Sequence, residues 1–331
     1  MNSFGNIFRI SIFGESHGNS TGITIDGCSA GLPLLESDFT ADLDRRRSGS
    51  KGTTPRKEAD LPRIMSGVFN DFTTGAPITI IFENTNTRFK DYEKIRETPR
   101  PGHADFVASK KFGGFEDFRG GGHFSGRITL GIVAAGVIAR KLISPIKIKA
   151  ELTEAGGIKD IELALDKAIE EQNSIGGIIE CTASNLPTGI GEPFFNSVES
   201  MIAHLVFSIP AIKAIEFGAG FASAKMKGSD HNDMFISPEG KTETNHAGGI
   251  NGGISNGNDI VFRVAVKPTS SIALAQNTMN IKTGKMTELK IEGRHDLCIA
   301  LRVPVIMEAV TAIVLADLML VEQRIKRVYL K

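Results

Sequence analysis

Three histidines lie in short, glycine-bearing polar segments, the setting in which a tight loop presents an imidazole to a ligand. His17 falls in Gly14-Glu-Ser-His-Gly18, His103 in Arg100-Pro-Gly-His-Ala-Asp105, and His295 in Gly293-Arg-His-Asp296. An imidazole so placed can give or take a proton near neutral pH. In the second segment Pro101 fixes φ, Gly102 permits the bend, and Asp105 is spaced to orient the His103 ring. Basic side chains gather in the same kind of segment. Arg45, Arg46 and Arg47 are consecutive, Lys51 follows closely, Arg119 and Arg127 flank the glycines 120–122, and Lys267-Pro-Thr-Ser-Ser271 offers one cation and three hydroxyls. Guanidinium forks bind carboxylates and phosphates bidentately, and glycines ahead of a helix start leave backbone N–H groups free for an anion. Taken singly, each segment reads as a turn, a capped helix start or a solvated helix end. Together they suit a small polyanionic ligand and a phosphate-bearing cofactor.

One competing pattern overlaps the first histidine. Gly14-Glu-Ser-His-Gly18 also matches the G-x-S-x-G nucleophile elbow, with Ser16 as nucleophile. That elbow needs a strand–turn–helix setting, whereas here it follows the first strand and precedes another strand-like run. A serine hydrolase and a phosphate- or flavin-binding module without catalysis are the two alternative readings. No phosphate loop, HExxH helix or GxGxxG after a strand occurs.

The elements that must position these groups follow from periodicity. Ile7–Phe13, Gly22–Asp26, Ala76–Phe82, Ile178–Thr182 and Asp259–Val266 are expected strands. Ser37–Arg47 is an expected helix with Ser37 as N-cap, Leu130–Ile143 an apolar helix, Asp160–Gln172 an amphipathic one, and Pro304–Val328 holds the last helix. Residues 45–63, 84–100 and 245–257 read as loops. The mixture predicts an α+β chain with sheets covered by helices. No fixed-period repeat or linker divides it.

Composition bounds the function. With 38 basic and 38 acidic residues in 331, the chain has no net charge, which excludes a globally basic nucleic-acid coat. Aromatic residues are not interleaved with the basic ones, so nucleic acid is not an expected partner. Glycine, at 36 residues, is enriched and concentrated in loops. Cys28, Cys181 and Cys298 are widely spaced and odd in number, which points to neither a disulfide framework nor a zinc site and favours a reducing compartment. The apolar stretch Val303–Val321 contains Pro304, Glu308, Thr311 and Asp317, and reads as a buried helix rather than a membrane span.

The motifs, in this order, resemble those of the chorismate synthases. The matching segments are Phe13–Gly18, Asp42–Gly49, Arg100–Asp105, Arg119–Gly122 with Ser125–Arg127, Asn245–Ile254, Lys267–Ser271 and Gly293–Asp296, which span nearly the whole chain. The resemblance implies one catalytic domain over residues 1–331, with a β-α-β-α sandwich, assembled as a cytoplasmic homotetramer. It implies loss of phosphate and a ring proton from 5-enolpyruvylshikimate 3-phosphate in an anti-1,4 elimination, with reduced FMN required and NADPH a candidate reductant. His17 would be the acid at the leaving phosphate, His103 would manage flavin protonation, and Asp296 would assist ring-proton removal through flavin N5. Arg46, Arg47, Lys51, Arg127 and Arg294 would hold substrate anions, with Arg46 and Arg294 also beside the flavin. His123, Phe124, Ser125, Pro210, Ala211, Gly252, Lys267, Pro268, Thr269, Ser270 and Ser271 would bind FMN. This chain departs from many members in carrying His123-Phe124 for Arg-Ser, and from some in carrying Pro210 for Asn.

Overall fold

The computed structural model describes residues 2–54, 59–85, 96–291 and 295–329. Arg294, expected at the substrate, lies outside the described residues. Two antiparallel sheets enclose a pair of helices. The first sheet runs β1 (Ser3–Phe4), β2 (Arg9–Gly14), β3 (Ser20–Asp26), β5 (Ile78–Glu83), β4 (Arg63–Ser66) in spatial order. The second runs β8 (Ile212–Phe217), β9 (Ile260–Val266), β7 (Gly177–Ser184), β6 (Lys147–Ala155). Period-two patterning explains both. Ile23 and Ile25 pair with Ile80 and Ile78, and Phe262 and Val264 pair with Cys181 and Ile179; all eight side chains are buried on the inward faces.

Between the sheets lie α3 (Thr129–Leu142) and α6 (Pro304–Val321), preceded in the chain by α1 (Thr40–Arg46) and α2 (Asp105–Phe112). Gly131 and Gly136 permit this packing. A Cβ at Gly136 would collide with Ala309 of α6, and one at Gly131 would press on Ile23 of β3. α6 is long and apolar enough to cross a membrane by length and composition, but 83% of it is buried inside the protein. Its polar residues are partnered, as burial demands. Asp317 accepts from the backbone N–H groups of Asn6 (2.8 Å), Ile7 (2.7 Å) and Phe8 (2.9 Å). Glu308 accepts from Arg45 at 2.6 and 2.7 Å and from the Ala150 N–H at 3.0 Å, tying α1 and α6 to β6.

α4 (Ile161–Glu170) packs on β6, and α5 (Val198–Val206) packs on α6 and β8. The α+β class and the sandwich layering are those expected. Two local expectations differ. Residues 36–39 form a 3-10 turn before α1, so Ser37 is not an N-cap; Asp38 instead closes the turn by accepting from the Leu35 N–H at 2.8 Å. The last helix ends at Val321, seven residues early. Asp160 caps α4 as its type suggests, accepting from the Leu163 N–H at 3.1 Å.

Candidate active site

The loop joining β2 to β3 carries Ser16 and His17 and is pinned from three directions. The Asn84 side-chain amide donates to the carbonyls of Glu15 (3.0 Å) and Gly18 (2.8 Å). The Ser16 N–H donates to the Gly122 carbonyl at 3.1 Å, and His123 Nδ1 to the Gly14 carbonyl at 2.7 Å. Ser16 and His17 are both buried. The loop joins antiparallel strands with no helix following, so the nucleophile elbow that would expose a serine is not formed.

The glycine run decides the site's geometry. Gly120, Gly121 and Gly122 all have φ in the left-handed region, at 59°, 81° and 52°. A Cβ on Gly120 would collide with the His17 imidazole, while one on Gly121 would come within 3.3 Å of His103 Cε1 and 3.4 Å of its Nε2. Two histidines 86 positions apart are thus seated on consecutive glycines.

His103 is held by its own turn. Its Nδ1 lies 2.6 Å from Asp105 Oδ1 and 3.0 Å from Arg100 Nη2. Arginine cannot accept, so the Nδ1 proton goes to the carboxylate and Nε2 is the nitrogen at Gly121. Arg100 donates to Asp105 at 2.7 Å through both Nε and Nη2. Burial would raise the Asp105 carboxyl, but the hydrogen bonds and charges of Arg100 and His103 outweigh it and hold the group well below the usual carboxylate range. Asp105 therefore orients His103, as its spacing suggested.

Beyond His17 lies a buried arginine cluster. Arg127 donates from Nη1 to Asp60 at 2.8 Å and from Nε to Asn84, the residue that pins the His17 loop. Arg46 lies 3.6 Å from the other Asp60 oxygen, and donates to Thr129 Oγ1 (2.9 Å) and the Gly126 carbonyl (2.8 Å). Arg302 donates to the Arg46 carbonyl at 2.8 Å and lies 3.3 Å from Asp296, whose other oxygen accepts from the Thr54 N–H at 2.8 Å. Three guanidinium groups face two carboxylates. Burial, with Arg302 and Arg127 nearby, brings the Arg46 pKa down to about 9, against the pull of Asp60 and Asp296. A cluster with surplus positive charge and little water is suited to a polyanion.

The proposed flavin residues fall into two groups. Lys267 Nζ donates to the Gly102 carbonyl (2.7 Å) and Ser270 Oγ (2.8 Å), while Ser271 Oγ accepts from Arg100 at 3.0 Å. The backbone of Ala211, at φ 75°, accepts from the Lys267 N–H at 2.9 Å, with Pro210 preceding it and Pro268 next in the turn. Thr269 Oγ1 is buried with no hydrogen-bond partner. An orphaned hydroxyl beside an ammonium, which burial and Lys213 depress, fits a phosphoryl group. His123, Phe124 and Ser125 instead flank the glycine run. His123 also meets Asn2, Ser125 accepts from the Arg127 N–H, and Phe124 walls an open cleft with His103, Gly121, Phe106, Phe118 and Ile281.

Three expected residues stand elsewhere. Lys51 is half-exposed and paired with Glu162 (2.9 Å) and Asp166 (2.8 Å) on α4. Arg47 pairs with Asp44 at 2.5 Å and donates to the Ala59 carbonyl. Gly252 belongs to a short hairpin packed on residues 191–198, and no hydrogen bond among the described residues ties it to the Lys267 turn. Asp60, Asn84 and Arg302 were missed. For Arg302 a signal existed: a lone charge in the apolar run Ile299–Val305 needs a partner.

Comparison with known proteins agrees with this geometry. The profile of the family described as chorismate synthase matches residues 8–320. The chain is 66% identical over 330 residues to the chorismate synthase of Chitinophaga pinensis, covering 99% of both chains. It is 48% identical to that of Dehalococcoides mccartyi, covering 96% of both, and 44% identical to that of Methanocaldococcus jannaschii, covering 97% of this chain and 96% of the relative. A crystal structure of a chorismate synthase superposes with a TM-score of 0.74 at 27% identity, covering 96% of this chain and 93% of the other. The chain belongs to the chorismate synthase family.

Proposed function

We propose that this chain, as one catalytic domain over residues 1–331, converts 5-enolpyruvylshikimate 3-phosphate to chorismate and phosphate by anti-1,4 elimination. The observation that carries the reading is the seating of His17 and His103 on Gly120 and Gly121 beside the buried Arg46–Asp60–Arg127 cluster. A substrate with one phosphate and two carboxylates needs such a water-poor cationic pocket. Arg46 and Arg127 hold those anions, and each is already fixed by protein acceptors, so little side-chain ordering remains on binding. His17 gives a proton to the departing phosphate. Asp296, anchored by Thr54 and Arg302, assists removal of the ring proton.

FMN in its reduced form is the proposed cofactor. Lys267, Thr269 and Ser270 would hold its phosphate, with the neighbouring Ala211 and Ser271, and the His103–Arg100–Asp105 unit lies hydrogen-bonded to that same turn. Bound there, the reduced flavin would supply electron density to the substrate in a reaction with no net oxidation. His103 Nε2 is the nitrogen left to give or take a proton there, because Asp105 fixes the opposite nitrogen.

NADPH is the proposed reductant, tested by anaerobic bleaching of bound FMN. A homotetramer is proposed, supported by the exposed side chains of Phe194, Phe195, Phe221 and Phe235. The cytoplasm is the proposed location, in keeping with three buried free thiols.

The test is phosphate release from 5-enolpyruvylshikimate 3-phosphate, anaerobically, with dithionite-reduced FMN and with oxidised FMN as control. Release with reduced flavin alone supports the reading; no release from folded protein under either condition overturns it.

A further inference from the structure

Arg302 sits just before α6, six residues beyond Asp296, and its guanidinium makes two contacts that do different jobs. Nη1 lies 3.3 Å from Asp296 Oδ2, and Nε donates at 2.8 Å to the backbone carbonyl of Arg46. Asp296 is nearly buried, and its second oxygen is taken by the Thr54 N–H. Arg46 ends α1 and is buried against Asp60, Arg127, Thr129 and Gly126. One side chain therefore fastens the carboxylate at one end of the cluster to the backbone of the arginine at its centre.

We propose that Arg302 is a positioning residue that sets Asp296 and Arg46 as one unit, so that the carboxylate assisting ring-proton removal and the anion-holding guanidinium keep a fixed mutual placement. The proposal rests on the chorismate synthase reading for the roles of those two groups. It deepens that reading by assigning the residue that joins them. Arg302 would also act on Arg46 through charge. The ionisable groups facing Arg46 are Asp60, Arg127, Asp296 and Arg302, and Arg302 is the nearest in effect of the two cations opposing it. A peg with a merely structural role would hold the fold without setting the titration of Arg46.

The test compares wild type, Arg302→Gln, Arg302→Lys and Arg46→Gln. Affinity for 5-enolpyruvylshikimate 3-phosphate is measured by calorimetry on protein loaded with oxidised FMN, which does not turn over, between pH 7 and 10.5. In wild type the affinity is expected to weaken as pH rises past about 9, the value to which burial and Arg302 lower Arg46. The expected result for Arg302→Gln is a break moved upward by about one pH unit, since a neighbouring cation has gone. With reduced FMN its kcat falls at least thirtyfold, while KM at pH 7 changes less than tenfold. Arg302→Lys, which keeps the charge but not the fork, returns the break toward pH 9 and restores only part of kcat. An unchanged break in folded Arg302→Gln, or an unchanged kcat, overturns the proposal. Failure of the underlying reading looks different: wild type itself releases no phosphate with reduced FMN. The break can then still be read with inorganic phosphate as the probe, and a break that moves in Arg302→Gln sustains the Arg302–Arg46 coupling.

Discussion

Arg46 offers the sharpest quantitative handle on the site. Its guanidinium ordinarily stays charged throughout the working pH range, and burial beside Arg302 and Arg127 brings it down to about 9. Each unit of that displacement disfavours the charged form by about 1.4 kcal/mol in the protein without ligand. The sign has two consequences. Above about pH 9 the unfolded chain binds a proton that the folded chain lacks, so this group's contribution to stability improves as pH rises through 9. An anionic ligand reverses the balance, because it neutralises the guanidinium and holds its proton. Ligand-free protein should therefore gain from this residue on going alkaline, while the stabilisation conferred by substrate fades. The assay is a thermal shift, with and without saturating 5-enolpyruvylshikimate 3-phosphate, from pH 7 to 10.5, with oxidised FMN present throughout. The expected dissociation constant is flat to about pH 8.5 and rises about tenfold per unit above 9. Arg46→Gln should bind at least a hundredfold more weakly at pH 7 and show no break. A dissociation constant that stays flat to pH 10.5, or a break that persists in Arg46→Gln, would refute the reasoning.

Three further outcomes follow from the same geometry. Gly120→Ala places a methyl against the His17 ring at a left-handed φ, so turnover should drop at least a hundredfold while circular dichroism stays native; wild-type phosphate release would sink the claim that His17 needs this seat. Asp105→Asn removes the negative charge that faces His103 and Arg100 and replaces one of its two acceptor oxygens with an N–H₂ donor. Because the Asp105 carboxyl is held low, the stability it contributes is complete above the usual carboxylate range and is lost as pH falls below it. The melting gap between wild type and Asp105→Asn should be widest near neutrality and close in acid, and a pH-independent gap would contradict this. Asp317→Asn sets an amide N–H₂ where the carboxylate receives backbone N–H groups from residues 6–8, at a cost of about 2–4 kcal/mol. Its melting temperature should fall by several degrees with kcat unchanged, and an equal melting temperature would show that the N-terminal strand is anchored otherwise.

Much of the machinery was legible in the residue order because its determinants are local. The His103 turn needs Pro101, Gly102 and Asp105 within five positions, and the structure closes it with the hydrogen bond that spacing foretold. Five of the nine strands (β2, β3, β5, β7 and β9) were legible as apolar runs, while β1, β4, β6 and β8 were not, and α6 was legible as an apolar run whose few polar residues had to find partners. The glycines at 120–122 were visible as an unusual loop, but their purpose was not. That the first seats His17 and the second His103 depends on how the β2–β3 loop and the α2 turn converge, and the His17–Gly120 contact joins residues far apart in the chain. The same holds for the arginines. Sequence offered Arg46, Arg47, Lys51 and Arg127 as equals, since all are cations in polar segments. Tertiary packing separated them. It buried Arg46 and Arg127 on the two oxygens of Asp60, an aspartate with no local signal, and left Lys51 on the surface with the acids of α4. Periodicity and turn chemistry act over a few residues and are written in the chain, whereas which charge loses its water depends on which distant elements cover it.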